Sequence, residues 1–216
     1  MQAKPQTVDN YIAAQRAALA LNPECGMTHY NLAVALLSRK RYAEAEQELH
    51  AAVECSPGLA EAYVQLGGIC LQRGDLDGCL HYNQQAVASR AGFAEGYGNI
   101  GFVHLQRGNI PASIAALKKA IAFNSRFIQA YTTLANAYLM QGNVQESIET
   151  NLKAIALEPR FGIAHNNLAI AYLEKGEIEK AARHCDQALA LGFEVAPEII
   201  SEIKARRPGG SKSPDQ

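Results

Sequence analysis

The sequence predicts an all-α fold built from one helical unit that recurs every 34 residues. Three series of residues return at that spacing, and each series marks a different place in the unit. They are Ala52, Ala86, Ala120, Ala154 and Ala188; Gly74, Gly108, Gly142 and Gly176; and Pro23, Pro57 and Pro159. Such self-similarity is the signature of a repeat protein, in which each unit packs only against its neighbours.

The spacing inside each unit is helical. Counted from Gly26, the full units cover 26–59, 60–93, 94–127, 128–161 and 162–195. Positions 4, 7, 8 and 11 fall on one helical face, and position 8 is always Gly or Ala, which allows close helix approach. Gly at position 15, replaced once by Lys40, suits the left-handed residue that ends a helix. Positions 20, 27 and 28 continue the apolar stripe in a second helix, which proline near position 32 stops.

This period and punctuation resemble the tetratricopeptide repeat, in which each unit is a pair of antiparallel helices. The resemblance covers nearly the whole chain and implies a right-handed α-solenoid of helix-turn-helix repeats. Beside the five full units we expect a half-repeat at 7–25 with a second helix only, a capping helix at 196–207 and a flexible tail at 208–216. The half-repeat either begins the natural protein or was excised from a longer array.

Composition narrows the function classes. The formal net charge of −1 argues against electrostatic binding of nucleic acid. No apolar run approaches the length of about 20 residues that a membrane span needs, and the N-terminus lacks the core of a signal peptide. We therefore expect a soluble, cytoplasmic protein without direct membrane insertion. The five cysteines are odd in number and form no CxxC pair, which favours small core thiols over disulfides or zinc.

No catalytic constellation emerges from the sequence. Residues 96–101 imitate the GxGxxG fingerprint of dinucleotide-binding proteins, but they lie inside a first helix and follow no strand. His29 and His165 take position 4 and His104 takes position 11, where the repeat needs a large packing side chain. His184 is adjacent to Cys185, and neighbours on a helix point in different directions. The sequence predicts a protein that is not an enzyme and that needs no cofactor or metal.

The resemblance implies that ligands lie along the first helices, on a concave face formed by positions 2, 5, 6, 9, 12 and 13. Position 6 is rich in carboxamides, which can both donate and accept hydrogen bonds along an extended peptide. This ladder consists of Asn31, Gln65, Asn99, Thr133 and Asn167. Further candidates for peptide contact on the same face are Tyr30, Phe102, Asn136 and Asn166. The partner is therefore expected to be a protein or peptide.

Alternatives stay open at this stage. The ladder asparagines could be a family consensus on a solvated face. The chain could instead be a self-assembling scaffold like the tetratricopeptide protein that coats magnetosomes, docking copies through an exposed apolar edge of the half-repeat at Tyr11, Ile12 and Leu19. It could also be a non-catalytic segment of a larger enzyme. A chaperone-type carboxylate clamp is not expected, because position 2 lacks lysine and carries Glu61 and Glu95.

Two second helices depart from the family pattern at position 24. Asn83 and Asn151 stand there in place of a large apolar residue. Either these helices pack more loosely, or they face a partner. Pro111 falls near the start of a second helix, where proline is tolerated.

Overall fold

The computed structural model describes residues 7–207, which form twelve α-helices and no β-strand. In order the helices are α1 Val8–Leu21, α2 Gly26–Ser38, α3 Tyr42–Cys55, α4 Ala60–Gln72, α5 Leu76–Ser89, α6 Ala94–Gln106, α7 Ile110–Phe123, α8 Ile128–Met140, α9 Val144–Leu157, α10 Gly162–Glu174, α11 Ile178–Ala190 and α12 Pro197–Arg206. The predicted all-α helical-repeat solenoid is confirmed. The tail predicted at 208–216 lies outside the described residues.

The helices pack in pairs, and the chain divides into two compact halves. The N-terminal half ends at Val103 and the C-terminal half begins at His104. In the first, α2 packs on α3 and α4 on α5; in the second, α8 packs on α9 and α10 on α11. Neighbouring pairs are joined through α3 with α4 and α9 with α10. Within each half, neighbouring pairs bury their apolar stripes against each other, as the 34-residue register requires.

The core of the N-terminal half corrects the expectation for the half-repeat. Ile12 is only 5% exposed and lies in the same cluster as Leu32 and Leu49. Tyr11 and Leu19 are partly buried against that cluster. The proposed exposed apolar edge is therefore wrong, because α1 packs on α2 as a second helix packs on the next unit.

The core of the C-terminal half continues into the last helix. Ile203 of α12 is 5% exposed and lies in the cluster that contains Leu168, Tyr172 and Cys185. α12 opens with Pro197 in its first turn, where a missing N–H costs no helical hydrogen bond. The same tolerance accounts for Pro111 at the start of α7.

Two cysteines differ from the expected core thiols. Cys70, Cys79 and Cys185 are buried as predicted, but Cys55 is exposed and Cys25 is half-buried at the N-cap of α2. Within residues 7–207, no helix combines the length and apolar character that crossing a membrane requires.

The asparagines at position 24 are neither loose nor open to a partner, since Asn83 and Asn151 are both 0% exposed. The Asn83 side chain reaches across to α4, where a Cβ on Gly67 would overlap its Nδ2 atom. A Cβ on the adjacent Gly68 would meet nothing within 4 Å. Glycine at position 8 of this unit is thus required by the buried amide opposite it.

The turns between paired helices share one backbone conformation. Gly74, Gly108, Gly142 and Gly176 have φ values from 71° to 84°. Lys40 occupies the same slot with φ of 60°, which makes it the one non-glycine residue with positive φ among residues 7–207. A side chain in the left-handed region costs about 1–2 kcal/mol. The fold therefore imposes the glycine conformation on a lysine.

We predict that Lys40→Gly raises the free energy of unfolding by about 0.5–1 kcal/mol, since relief of strain exceeds the added entropy of the unfolded chain. Urea denaturation measures the change. Gln72→Gly is the matched control, because Gln72 is an exposed helical residue without positive φ. It should lose about 0.5–1 kcal/mol. A Lys40→Gly variant less stable than the wild type would contradict the argument.

We predict opposite effects for alanine at two neighbouring glycines of α4. Gly67→Ala should lower the free energy of unfolding by about 1–3 kcal/mol, because its Cβ overlaps the Asn83 amide. Gly68→Ala should raise it by about 0.5–1 kcal/mol, because alanine restricts the unfolded chain and meets no neighbour. Urea or thermal denaturation of both variants separates the two. Equal changes in the free energy of unfolding for the two variants would show that the overlap with Asn83 does not determine the effect of Gly67→Ala.

Candidate functional site

The five ladder side chains are all half-buried on their first helices. Asn31, Gln65 and Asn99 belong to the N-terminal half, and Thr133 and Asn167 to the C-terminal half. Partial burial holds a side chain in place while leaving part of its polar end accessible. Each half therefore presents its own set of amide or hydroxyl groups.

Three of the five ladder side chains already donate a hydrogen bond inside the chain. Asn99 Nδ2 donates to Asn83 Oδ1 at 2.9 Å. Thr133 Oγ1 donates to the Gln129 carbonyl of its own helix at 2.8 Å. Asn167 Nδ2 lies 3.4 Å from the Thr132 carbonyl, a long and weak contact. These bonds use the hydroxyl proton of Thr133 and one of the two N–H groups of Asn99 and of Asn167, and they leave the side-chain oxygens as acceptors.

The other two ladder carboxamides, Asn31 and Gln65, make no hydrogen bond to another described residue. Asn31 lies in the wall of an open cavity of about 390 Å³ between α1 and α2. This α1–α2 cavity is lined by Val8, Tyr11, Tyr30, Asn31, Val34, Ala35 and Ser38. Its α2 residues include positions 5, 6, 9 and 13 of the first unit, all of which were predicted to share one face.

The four further candidates are not brought to one place. Tyr30 lines the α1–α2 cavity, and its burial, with a contribution from the charge of Glu61, raises the pKa of its hydroxyl. Phe102 is partly buried and packs against the cluster of Cys70 and Cys79, so it contributes to the core. Asn136 is exposed and Asn166 is half-buried, both in the C-terminal half. Of these four, Tyr30 has the clearest position for ligand contact.

The position-2 acids of the N-terminal half do not form an anion-binding clamp. Glu61 makes a double ion pair with Arg90 at the end of α5, with distances of 2.5 and 2.7 Å. Arg90 also stacks over Phe93, 5.1 Å from its ring centre. A peptide carboxylate would meet Glu61 and the exposed Glu95 on this face. The charge of Glu61 is thus balanced by a cation of its own helix pair.

Three position-4 side chains fasten their first helix to the preceding turn. His29 Nε2 lies 2.8 Å from the Pro23 carbonyl, and His165 Nε2 lies 3.0 Å from the Pro159 carbonyl. Tyr131 donates to the carbonyl at the same place, that of Ser125. These side chains have structural partners, as expected for residues that pack rather than catalyse.

The other ring nitrogen of each position-4 histidine contacts position 23 of the second helix. His29 Nδ1 lies 2.6 Å from Glu48 Oε2, and His165 Nδ1 lies 3.0 Å from His184 Nδ1. The adjacency of His184 and Cys185 in the sequence does not reveal this pair. The structure shows that positions 4 and 23 face each other in the first and in the fifth unit. Within residues 7–207, no group of three or more potential metal ligands occurs.

His184 is held in its neutral form. Burial, then the nearby His165, then Arg183 of its own helix lower its pKa to about 4. Its ring stacks on Tyr172 with centroids 5.6 Å apart, and Lys180 lies over the same tyrosine. The Pro159 carbonyl can only accept, so His165 Nε2 donates to it and His165 Nδ1 accepts a hydrogen bond from His184 Nδ1. Protonation of His184 would place a positive charge on this half-buried ring without removing that hydrogen bond.

The glycine-rich stretch 96–101 lies inside α6, as predicted, and its glycines serve packing. A Cβ on Gly96 would lie 2.7 Å from Val87 Cγ1 of α5. Gly98 and Gly101 are also buried. This stretch forms no phosphate-binding loop, because it follows no strand in the described chain and opens no helix.

We predict that acid destabilises the C-terminal half through His184. Its pKa is about 4 in the folded chain and about 6.5 in the unfolded chain, so the unfolded state binds more protons between these values. The free energy of unfolding should therefore fall as the pH falls from about 6.5 towards 4. His184→Phe keeps the ring stack but cannot be protonated. Its free energy of unfolding should therefore fall less on acidification than that of the wild type. Urea denaturation at several pH values measures both chains.

His50 is exposed and provides the control. The free energy of unfolding of His50→Phe should fall on acidification by as much as that of the wild type. The proposed cause would be wrong if His184→Phe and the wild type lost the same free energy on acidification.

Solved structures with a similar fold cover most of this chain. The structure described as "YrrB: a TPR protein with an unusual peptide-binding site" is 18% identical, with a TM-score of 0.69, and covers 90% of this chain and 98% of its own. That of PilW, a "widely conserved type IV pilus biogenesis factor", is 18% identical with a TM-score of 0.75 and covers 90% of each chain. MamA from Desulfovibrio magneticus RS-1 is 21% identical with a TM-score of 0.66, covering 77% of this chain and 94% of its own.

Sequence profiles identify the family directly. A search of curated protein sequences found no match. The profile described as "Tetratricopeptide repeat" matches residues 10–60 and 132–192, and one described as "TPR repeat" matches 101–142. Together with the paired helices and their 34-residue register, these matches show that the chain belongs to the tetratricopeptide-repeat family.

Proposed function

We propose that this chain is a non-enzymatic binding module for an extended peptide segment of a partner protein. The tetratricopeptide-repeat fold is a protein-interaction fold that binds partners along stacked helices. The observation that carries the proposal is the α1–α2 cavity. Two ladder-face residues predicted from sequence, Tyr30 and Asn31, meet there in one open concavity.

The chemistry of the cavity suits a peptide with one apolar anchor. Val8, Val34 and Ala35 supply apolar surface, and Tyr11 and Tyr30 supply aromatic rings. A volume of about 390 Å³ lies within the range of about 300–1,000 Å³ that small-ligand pockets occupy. Aromatic walls beside a few polar groups are typical of sites that bury one large side chain.

Asn31 supplies the polar contact beside the anchor. Its carboxamide has no hydrogen-bond partner in the described chain, so both its donor and its acceptor are available. An extended peptide exposes alternating N–H and C=O groups, which one carboxamide can pair with at once. Gln65, one unit further along the same half, likewise has no hydrogen-bond partner among the described residues. These two residues are thus the strongest ladder candidates.

The ladder residues of the C-terminal half have a smaller part in the proposal. The Thr133 hydroxyl donates a hydrogen bond to a carbonyl of its own helix, and the Asn167 amide donates to the Thr132 carbonyl. Asn136 and Asn166 remain available for peptide contact beside them. YrrB, described as having a peptide-binding site, supports the proposal to the extent that a chain of this fold can bind peptide.

We predict that a phage-displayed library of short random peptides yields binders whose affinity depends on the α1–α2 cavity. Asn31→Ala should weaken the recovered peptides by about three- to tenfold, the value of one or two hydrogen bonds. Tyr30→Ala should weaken them by about tenfold or more, since aromatic anchors dominate such contacts. Isothermal titration calorimetry measures each affinity.

One variant serves as the control. Gln84→Ala changes an exposed amide on second helix α5, away from the ladder. It should keep the affinity of the wild type. Equal binding by wild type, Asn31→Ala and Tyr30→Ala would remove the cavity from the proposal.

Self-assembly is the second candidate, and it has less support. The residues first considered for it, Tyr11, Ile12 and Leu19, face the core. The exposed apolar side chains of α1 are Val8 and Leu21, the latter 89% exposed. Light scattering over a concentration series tests the idea directly. A monomer at every concentration excludes the scaffold, whereas oligomers that Leu21→Ser disperses would favour it.

A further inference from the structure

The Asn83 carboxamide connects a fully buried position of α5 with the ladder face of α6. Asn83 is 0% exposed, whereas Asn99 is half-buried. Asn83 Nδ2 donates to the Cys79 carbonyl, one helical turn earlier, at 2.8 Å. Asn83 Oδ1 accepts a hydrogen bond from Asn99 Nδ2 at 2.9 Å. A ladder residue is therefore bonded to the core through a single buried amide.

The direction of both amides follows from this arrangement. A backbone carbonyl can only accept, so the Cys79 carbonyl fixes Nδ2 as the end of Asn83 that faces it. The Asn83 oxygen then faces Asn99, which must present its own Nδ2. This bond leaves the second N–H and the oxygen of Asn99, and the oxygen has no hydrogen-bond partner among residues 7–207.

We propose that Asn83 is a positioning residue that fixes the Asn99 amide with its acceptor oxygen towards a bound peptide. At this point the ladder face presents a fixed acceptor, which favours a peptide that offers an N–H group. A freely rotating carboxamide would accept either an N–H or a C=O group. The inference rests on the proposed peptide-binding function and narrows it to the polarity of one contact.

The absence of a side chain on Gly67 leaves space for the buried Asn83 amide. The Asn83 Nδ2 atom occupies the space that a Cβ on Gly67 would fill. The position of Asn83 therefore depends on the absence of a side chain on α4. Gly67, Asn83 and Asn99 follow one another at intervals of 16 residues, one from each of three successive helices.

The C-terminal half contains the same spacing without the same bond. Ala135, Asn151 and Asn167 stand at the equivalent positions, and Ala135 carries the Cβ that Gly67 lacks. Asn151 Nδ2 donates to the Ser147 carbonyl at 3.2 Å, but its buried Oδ1 has no partner. Asn167 turns to the Thr132 carbonyl instead. A buried asparagine at position 24 thus does not hold the ladder residue unless the facing helix leaves room.

The chain also provides the natural replacement for a test. Leu49 and Leu117 occupy position 24 in the first and third units, before Gln65 and Thr133, and Cys185 occupies it in the fifth. Asn83→Leu therefore introduces a residue that this fold already accepts there. Asn151→Leu is the matched control, because it makes the same change where no bond to the ladder exists.

The orientation is tested by NMR on the 15N-labelled full chain. In the wild type, the Asn99 side-chain amide should exchange its protons with water about three- to tenfold more slowly than that of Asn31. Asn83→Leu should remove this protection, and Asn151→Leu should leave it unchanged. Persistent protection in Asn83→Leu would overturn the proposal. If that variant does not fold, equal exchange of Asn99 and Asn31 in the wild type would overturn it.

The selectivity is tested with the peptides recovered from the phage library, resynthesised with one backbone N-methyl group at each position in turn. In the wild type, one methyl position should lower affinity by about tenfold because the N–H that meets Asn99 is lost. Asn83→Leu should reduce the loss of affinity at that position. If Asn83 only stabilised the fold, Asn83→Leu would lower the affinity of all the methylated and unmethylated peptides by the same factor. An unchanged methylation profile in Asn83→Leu would overturn the proposal. If no peptide is recovered, the proposed function fails, and the exchange measurement still decides the orientation.

Discussion

Each helix pair in this chain can bury its apolar stripe only against the helices of its neighbours, and that constraint governs the structure. It requires small residues where helices approach closely, such as Ala33 and Gly67 at position 8. It also requires a helix at each open end of the described chain. α1 covers one end with Ile12, and α12 covers the other with Ile203. The turns between paired helices must then be tight, which forces even Lys40 into the left-handed conformation.

Polar groups enter this core only where the packing provides partners. The position-4 histidines find one acceptor in the preceding turn and a second partner on the facing helix. Asn83 finds partners on both sides because Gly67 leaves room for it. Asn151 finds only one, and its buried oxygen has none. The same residue type thus has different consequences at equivalent positions, since one facing Cβ decides which atoms it can reach.

The proposed binding face inherits its chemistry from that packing. The side chains of Asn31 and Gln65 make no hydrogen bond to another described residue, so each can offer both a donor and an acceptor to a peptide. Asn99 is bonded to a buried residue, which holds its amide in one orientation. Five side chains in one register are therefore not five equivalent contacts. The apolar part of the site comes from the half-repeat, since α1 contributes Val8 and Tyr11 to the cavity beside Asn31.

The sequence by itself determined the all-α repeat, its register and the family, because helical periodicity and turn residues are local properties that recur every 34 residues. It also predicted the packing roles of His29 and His165, and the ladder as a binding face stays a prediction. Only the tertiary structure decided that Ile12 faces the core, that Cys55 is exposed, and that His165 meets His184. Only the tertiary structure showed that Asn83 holds Asn99. These outcomes depend on which side chains meet across helices, and a one-dimensional register gives the facing positions without the space between them.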